Sequence, residues 1–185
     1  MIITTIKDEH ILKLETFCAS AKKLGYENNS SLKAMKFDWC KQNGEFFCAI
    51  DNDKIIAVAG CHPLPEIDDT AWRIMFRGCE LPQTDNFKGL GKGDWNSITQ
   101  REMIPLFIDW CPSDQIYITT NTHHEHSNGK AERNHRLMGL LAKQKILDKH
   151  SEMVLYYTEQ TVWKLNIKEY TRRRNLLKGN YVVQS

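Results

Sequence analysis

The sequence predicts an α+β (mixed α/β) domain, and three observations lead there. Helical and strand-like segments mix without the regular alternation of a doubly wound sheet. The chain has 185 residues, a length that suits one domain able to bury its own core without disulfide or metal staples. Hydrophobic residues make up 41% and charged residues 26%, the balance of a folded globular protein rather than a disordered or collagen-like one.

The elements follow from periodicity and punctuation. A short strand fits residues 2–6. Asp8 can open a helix whose apolar positions are Ile11, Leu14, Phe17, Cys18, Ala21 and Leu24, with Gly25 as its stop. Ser30 or Ser31 can cap a second helix carrying Leu32, Met35, Trp39 and Cys40, ended by Asn43-Gly44. Residues 46–50 and 55–60 are strand-like. Asp51-Asn52-Asp53-Lys54 between them is good turn chemistry, so the pair reads as an antiparallel hairpin. Pro63 and Pro65 close its second strand.

A third strand is expected over residues 72–81, with Arg73 and Arg77 on an exposed face. A glycine-rich loop follows over 87–93. The next helix spans 98–111, and Pro105 requires it either to kink or to begin later. Residues 115–120 form a β-branched and aromatic strand, 123–129 a polar loop, and 131–146 a strong helix. Two more strands fit 153–157 and 161–165. The tail, 169–185, combines Arg172-Arg173-Arg174 with a candidate strand at 181–183.

Composition narrows the function classes. Lys plus Arg is 25 and Asp plus Glu is 23, a formal net charge of +2. That balance gives no global case for a nucleic-acid partner, for which a markedly basic domain is expected. No apolar run approaches the roughly 18–20 residues that cross a bilayer, so no membrane partner is expected. The first ten residues lack the basic and apolar regions of a secretory leader. Cys18, Cys40, Cys48, Cys61, Cys79 and Cys111 include no C-x-x-C pair, and most sit in apolar stretches. Reduced, packed thiols in a cytoplasmic protein are the expectation.

Two motifs carry candidate chemistry. In Lys88-Gly89-Leu90-Gly91-Lys92-Gly93, three glycines in five positions let a backbone approach a ligand closely. Successive free N–H groups there can form an anion-binding nest, and a helix starting just after it adds a positive dipole end. It is no Walker loop, because the Lys-Ser/Thr pair after the last glycine is absent. It lacks the glycine spacing and regular β-α-β setting of a dinucleotide site. The second motif is Asn128-Gly129-Lys130-Ala131-Glu132-Arg133-Asn134-His135. Asn128 is a suitable helix cap. Ala131, His135 and Gly139 then share one helix face, where small residues let a ligand pass close. A hydrogen-bonded core or rim histidine is the plainer reading of His135.

Other features have blander readings. His123-His124-Glu125-His126 reads as a solvated loop, because adjacent histidines rarely all reach one ion; no metal site is assigned. His62, before Pro63, reads as a turn residue. The arginine run reads as a solvated helix face, and Trp163 as a core residue.

The element order and both motifs together resemble the GNAT superfamily of acyl-CoA-dependent N-acyltransferases. Lys88-Gly89-Leu90-Gly91-Lys92-Gly93 is similar to that family's (Q/R)-x-x-G-x-(G/A) loop, with lysine first. Asn128, Ala131 and His135 are similar to its N-x-x-A-x-x-x-Y helix start, with histidine in place of tyrosine. The resemblance covers residues 1–166, leaving 167–185 as a basic C-terminal extension with a short helix and strand.

It implies a mostly antiparallel sheet splayed in the middle and flanked by about four helices. It further implies transfer of an acyl group from acetyl-CoA, or another acyl-CoA, to a small-molecule or peptide amine by direct attack. Lys88, Gly89, Leu90, Gly91, Lys92 and Gly93 would hold the CoA pyrophosphate. Asn128 and Ala131 would line the pantetheine arm. Glu80 would be the base, and His135 the proton or hydrogen-bond donor to the leaving thiolate. A homodimer is a candidate assembly, with the oligomeric state left open. The alternative is a GNAT-fold binding module without catalysis, engaging a protein or nucleic acid through its basic tail.

Overall fold

The structure, a computed structural model, describes residues 1–20, 42–79, 103–122, 130–155 and 157–181. Strand β1 (Ile2–Thr5) leads through a 3-10 turn into helix α1 (Ile11–Ser20). Strands β2 (Glu45–Asp51), β3 (Lys54–Pro63) and β4 (Trp72–Cys79) follow, then helix α2 (Ile104–Trp110) and strand β5 (Ile116–Asn121). Helix α3 (Lys130–Lys143), the hairpin β6 (Leu147–Leu155) and β7 (Thr158–Leu165), and helix α4 (Ile167–Tyr181) complete the chain.

The strands form one seven-stranded sheet in the order β1-β2-β3-β4-β5-β7-β6. Every neighbouring pair is antiparallel except β4 and β5, which run parallel. The β2–β3 hairpin closes on two residues, Asn52 and Asp53, because Asp51 pairs with Lys54. Both have positive φ, 47° and 63°. That left-handed pair is the turn whose twist matches the strands, and Asn and Asp tolerate it.

Both sheet faces are covered. On one, Phe47, Ala59, Cys61, Ile74, Ile116, Ile118, Trp163 and Leu165 pack with Phe107 of α2, Met138 and Leu141 of α3 and Tyr170 of α4. The Phe107 ring meets Phe47 edge-on, with centroids 4.6 Å apart. On the other face, Leu14 and Phe17 of α1 pack with Phe46, Cys48, Ile55 and Val58. Leu64, Ala71, Tyr117, Leu155 and Val162 form a smaller cluster. Burial on both faces explains why β2 reads as a near-continuous apolar run rather than an alternating one.

Helix α2 carries Pro105 in its first turn, where the missing N–H breaks no helical bond. The second expected helix, over 30–43, lies outside the described residues except at its end, where residues 42 and 43 are helical. Gly44 follows for a steric reason: a Cβ there would stand 1.9 Å from the Cys61 carbonyl oxygen. Cys48 and Cys61 are buried free thiols, and Cys111 is a partly buried one. Cys111 hydrogen-bonds with Cys61, which is the main influence lowering the Cys111 thiol pKa.

Four expectations are corrected. Arg73 is buried, not on an exposed face, because its side chain turns into the sheet toward β5 and β7. His62 is no turn residue; it lies in β3, fully buried, with Nδ1 donating to the Pro63 carbonyl at 2.6 Å. Asp8 opens a 3-10 turn rather than the α-helix itself, and His10 Nδ1 accepts the Lys7 N–H at 3.1 Å. Tyr181 ends helix α4 rather than starting a strand. In that helix Arg172 and Arg173 both bond to Glu169, so local ion pairing favours the helix.

Candidate active site

The main irregularity of the sheet is where β4 meets β5. They pair at three positions only: Trp72 with Ile116, Arg73 with Tyr117 and Ile74 with Ile118. Beyond these, β4 stays with β3, since Gly78 pairs with Val58 and Cys79 with Ala57. Strand β5 stays with β7 through Thr119, Thr120 and Asn121. The sheet therefore opens into a wedge toward the C-terminal ends of β4 and β5.

A bulge accompanies the parting. Gly60 pairs with Met75 and Val58 with Gly78, so β4 carries one residue more than β3 between those pairs. An extra residue raises the local twist and bends the bulged strand, and it falls just beyond the last β4–β5 pair at Ile74.

Arg73 ties the base of the wedge together. Its Nη2 donates to Thr119 Oγ1 on β5 and, at 2.9 Å, to Gln160 Oε1 on β7. Gln160 is itself held, because its amide nitrogen donates to the Leu155 carbonyl at 3.2 Å and to Thr158 Oγ1 at 2.9 Å. These bonds orient the amide so that its oxygen faces the guanidinium. A buried charge is tolerated where such hydrogen bonds replace lost hydration.

On the opposite sheet face, α3 brings His135 to β5. Thr120 Oγ1 lies 3.4 Å from His135 Nδ1 and accepts the Trp163 indole N–H at 2.9 Å. The His135 and Trp163 rings meet edge-on, with centroids 5.6 Å apart. Thr120 and Trp163 are buried, while His135 is half-buried. One turn further along α3, a Cβ at Gly139 meets no described atom within 4 Å. From β6, Glu152 contributes a carboxylate whose pKa is lowered first by its hydrogen bond with Lys149, with a smaller pull from His135.

Of the residues expected from sequence, the structure thus places His135 at the splayed end of β5, and Ala131 in the first turn of the same helix. Glu80, Lys88, Gly89, Leu90, Gly91, Lys92, Gly93 and Asn128 lie outside the described residues, as do His123 to His126. Sequence reasoning missed Thr120, Gln160 and the inward turn of Arg73. An arginine amid apolar strand residues was the one available signal. A depression of about 480 Å³ near Asp68, Asp114 and His150 lies at the other end of β5, away from the wedge; none of the chemistry above involves it.

No protein-family model and no curated protein matches the sequence. Solved structures do match. A GNAT-family acetyltransferase from Desulfovibrio desulfuricans superposes with a TM-score of 0.61 at 9% identity, covering 89% of this chain and 97% of that one. The aminoglycoside 6'-N-acetyltransferase from Enterococcus faecium superposes at 0.56 with 12% identity, covering 89% and 96%. An aminoglycoside 6'-N-acetyltransferase complexed with coenzyme A gives the same score, 0.56, with 12% identity and coverage of 89% and 96%. The chain has the GNAT fold, at 9% to 12% identity to these structures. The splayed sheet is the architecture that the sequence resemblance implied.

Proposed function

We propose that this protein is an acyl-CoA-dependent N-acyltransferase. The observation that carries the reading is the parting of β4 and β5 beyond Ile74 and Ile118, with His135 beside the opening. Strand edges that form no β4–β5 pair there suit an extended arm bearing amide groups, which is what pantetheine is. Among the described residues, nothing stands within 4 Å of a Cβ at Gly139, which leaves room beside it. A bound acyl-CoA supplies a thioester that an amine can attack directly. Glu80, one residue beyond β4, takes the proton from the amine. His135 supplies the donor to the departing sulfur. Amides of the loop from Leu90 to Gly93 hold the pyrophosphate, with Lys88 and Gly89 at its start, and Asn128 and Ala131 border the arm.

Acetyl-CoA is the first acyl donor to test. The acceptor is a small-molecule or peptide amine, and aminoglycosides, named for two of the similar structures, are reasonable first acceptors. The cytoplasm is the proposed location; no helix among the described residues is long and apolar enough to cross a membrane. The binding-module alternative has less support, because Arg172 and Arg173 already pair with Glu169.

Thermal-shift titration tests the reading. Acetyl-CoA and free CoA should raise the melting temperature by mass action, and Gly91→Leu should abolish that shift while the protein stays folded. No shift at millimolar cofactor would rule the enzyme out. A salt-dependent oligonucleotide affinity lost on removing the arginine run would favour the binding module instead.

A further inference from the structure

Three side chains from three elements meet beside the wedge: Trp163 of β7, Thr120 of β5 and His135 of α3. One arrangement of their hydrogen bonds leaves neither the Trp163 nor the Thr120 proton without an acceptor. The indole N–H of Trp163 can only donate, so at 2.9 Å it occupies one lone pair of Thr120 Oγ1. The Thr120 hydroxyl still has its own proton to place, and Thr120 is 5% exposed, so water is a poor recipient.

Among the described residues, two acceptors are to be considered. Thr161 is the register partner of Thr120 across β5 and β7. Its hydroxyl oxygen is buried and makes no hydrogen bond, so it does not take the proton. His135 Nδ1, 3.4 Å away, remains. A Thr120 hydroxyl that donates to Nδ1 requires Nδ1 to carry a lone pair. The proton of the neutral ring then sits on Nε2.

We propose that Thr120, held by Trp163, is a positioning residue that fixes neutral His135 as the Nε2–H tautomer, so that Nε2–H donates a hydrogen bond to the departing thiolate. This rests on the acyltransferase reading of His135. As the acyl C–N bond forms and the C–S bond breaks, the amine proton leaves to Glu80. His135 stabilises the sulfur by donation and keeps its proton; the sulfur takes one from solvent afterwards. From β6, Glu152, which accepts a hydrogen bond from Lys149, interacts electrostatically with His135. Neither Glu152 nor Lys149 hydrogen-bonds Thr120.

The first test needs no variant. A long-range proton–nitrogen correlation spectrum of the full chain reads which ring nitrogen is protonated, with the His135 signals assigned by their loss in His135→Ala. At a pH where the ring is neutral, Nε2 should be protonated and Nδ1 bare; a dominant Nδ1–H signal overturns the proposal. Thr120→Val keeps the shape and removes the hydroxyl. It should give mixed tautomers and lower kcat by on the order of tenfold, a fraction of the ~10²–10³-fold of a preorganised hydrogen-bond donor. CoA affinity should stay unchanged, and Thr120→Ser should restore tautomer and rate together. Wild-type tautomer and rate in Thr120→Val would refute the role of Thr120. If His135→Ala turns over normally while the wild-type spectrum shows Nε2–H, the tautomer assignment survives and the reading of His135 as the donor fails.

Discussion

The guanidinium of Arg73 reaches across the sheet to the side-chain oxygen of Gln160 at 2.9 Å, joining β4 to β7 with β5 between them. Both residues are buried. Backbone pairing of β4 with β5 ends one residue later, at Ile74, so this side-chain bond acts where the ladder stops.

Gln160→Leu should therefore destabilise the fold by roughly 1.5–3 kcal/mol, the usual worth of a buried hydrogen bond to a charged group. Urea unfolding measures it. A double-mutant cycle with Arg73→Met should show that the two losses do not add, since the residues share one network. Additive losses would mean that the bond contributes no coupling.

Gly44 and Gly139 should respond oppositely to alanine. At position 44 the new methyl would meet the backbone carbonyl of Cys61 at 1.9 Å. Backbone cannot rotate aside as a side chain can, so Gly44→Ala should cost about 3 kcal/mol or prevent folding, the upper range for overpacking. Low soluble yield or a clearly lowered melting temperature is the expected result.

At position 139 nothing described stands within 4 Å of the added methyl. Gly139→Ala should stabilise helix α3 by up to about 1 kcal/mol through helix propensity alone. If the CoA arm passes over this face, the same variant should bind CoA more weakly. Higher stability with unchanged CoA affinity would place the arm elsewhere.

Cys48 gives a pH prediction. Burial pushes its thiol up to about 11 from an ordinary value near 9. As pH rises, the unfolded chain loses that proton first, so it binds fewer protons than the native state. Stability should then fall between pH about 9 and about 11. Urea midpoints across that range, compared with Cys48→Ala, isolate the effect, because the variant lacks this part of the slope. The native thiol should also resist alkylation at pH 8.

Glu169 titrates in the other direction. Hydrogen bonds from Arg172 and then Arg173 hold its carboxyl down at about 2. Its contribution to helix α4 is complete above the ordinary carboxyl value near 4.5 and is lost as pH falls toward 2. A carbon-detected NMR titration of the Glu169 carboxyl should show its midpoint well below those of exposed glutamates. Arg172→Gln should raise it.

Local signals in the chain announced the local structure. Asp51 to Lys54 carries the residues a left-handed two-residue turn needs, and the apolar spacing of residues 131–146 marks α3. The fold class followed from element order. The wedge itself depends on which residues of β4 and β5 pair, and pairing register between distant strands leaves no mark at any single position. Arg73 looked like a surface residue because its partners, Thr119 and Gln160, lie 46 and 87 positions away. His135 stood out by its place in a motif. Thr120 could not, since a threonine in a β-branched strand needs no special reason.

The outer strands of the sheet bear on how the molecule meets its neighbours. At one margin β1 is four residues long. At the other, β6 exposes Asp148, Lys149, His150 and Glu152, and its pairing slips by one residue between Lys149 and Ser151. Short, charged and bulged margins discourage a second chain from adding a strand, which is how natural sheets avoid running together into aggregates. Among the described residues, the sheet therefore resists extension at its outer borders, while its β4–β5 pairing ends in its interior, after Ile74 and Ile118.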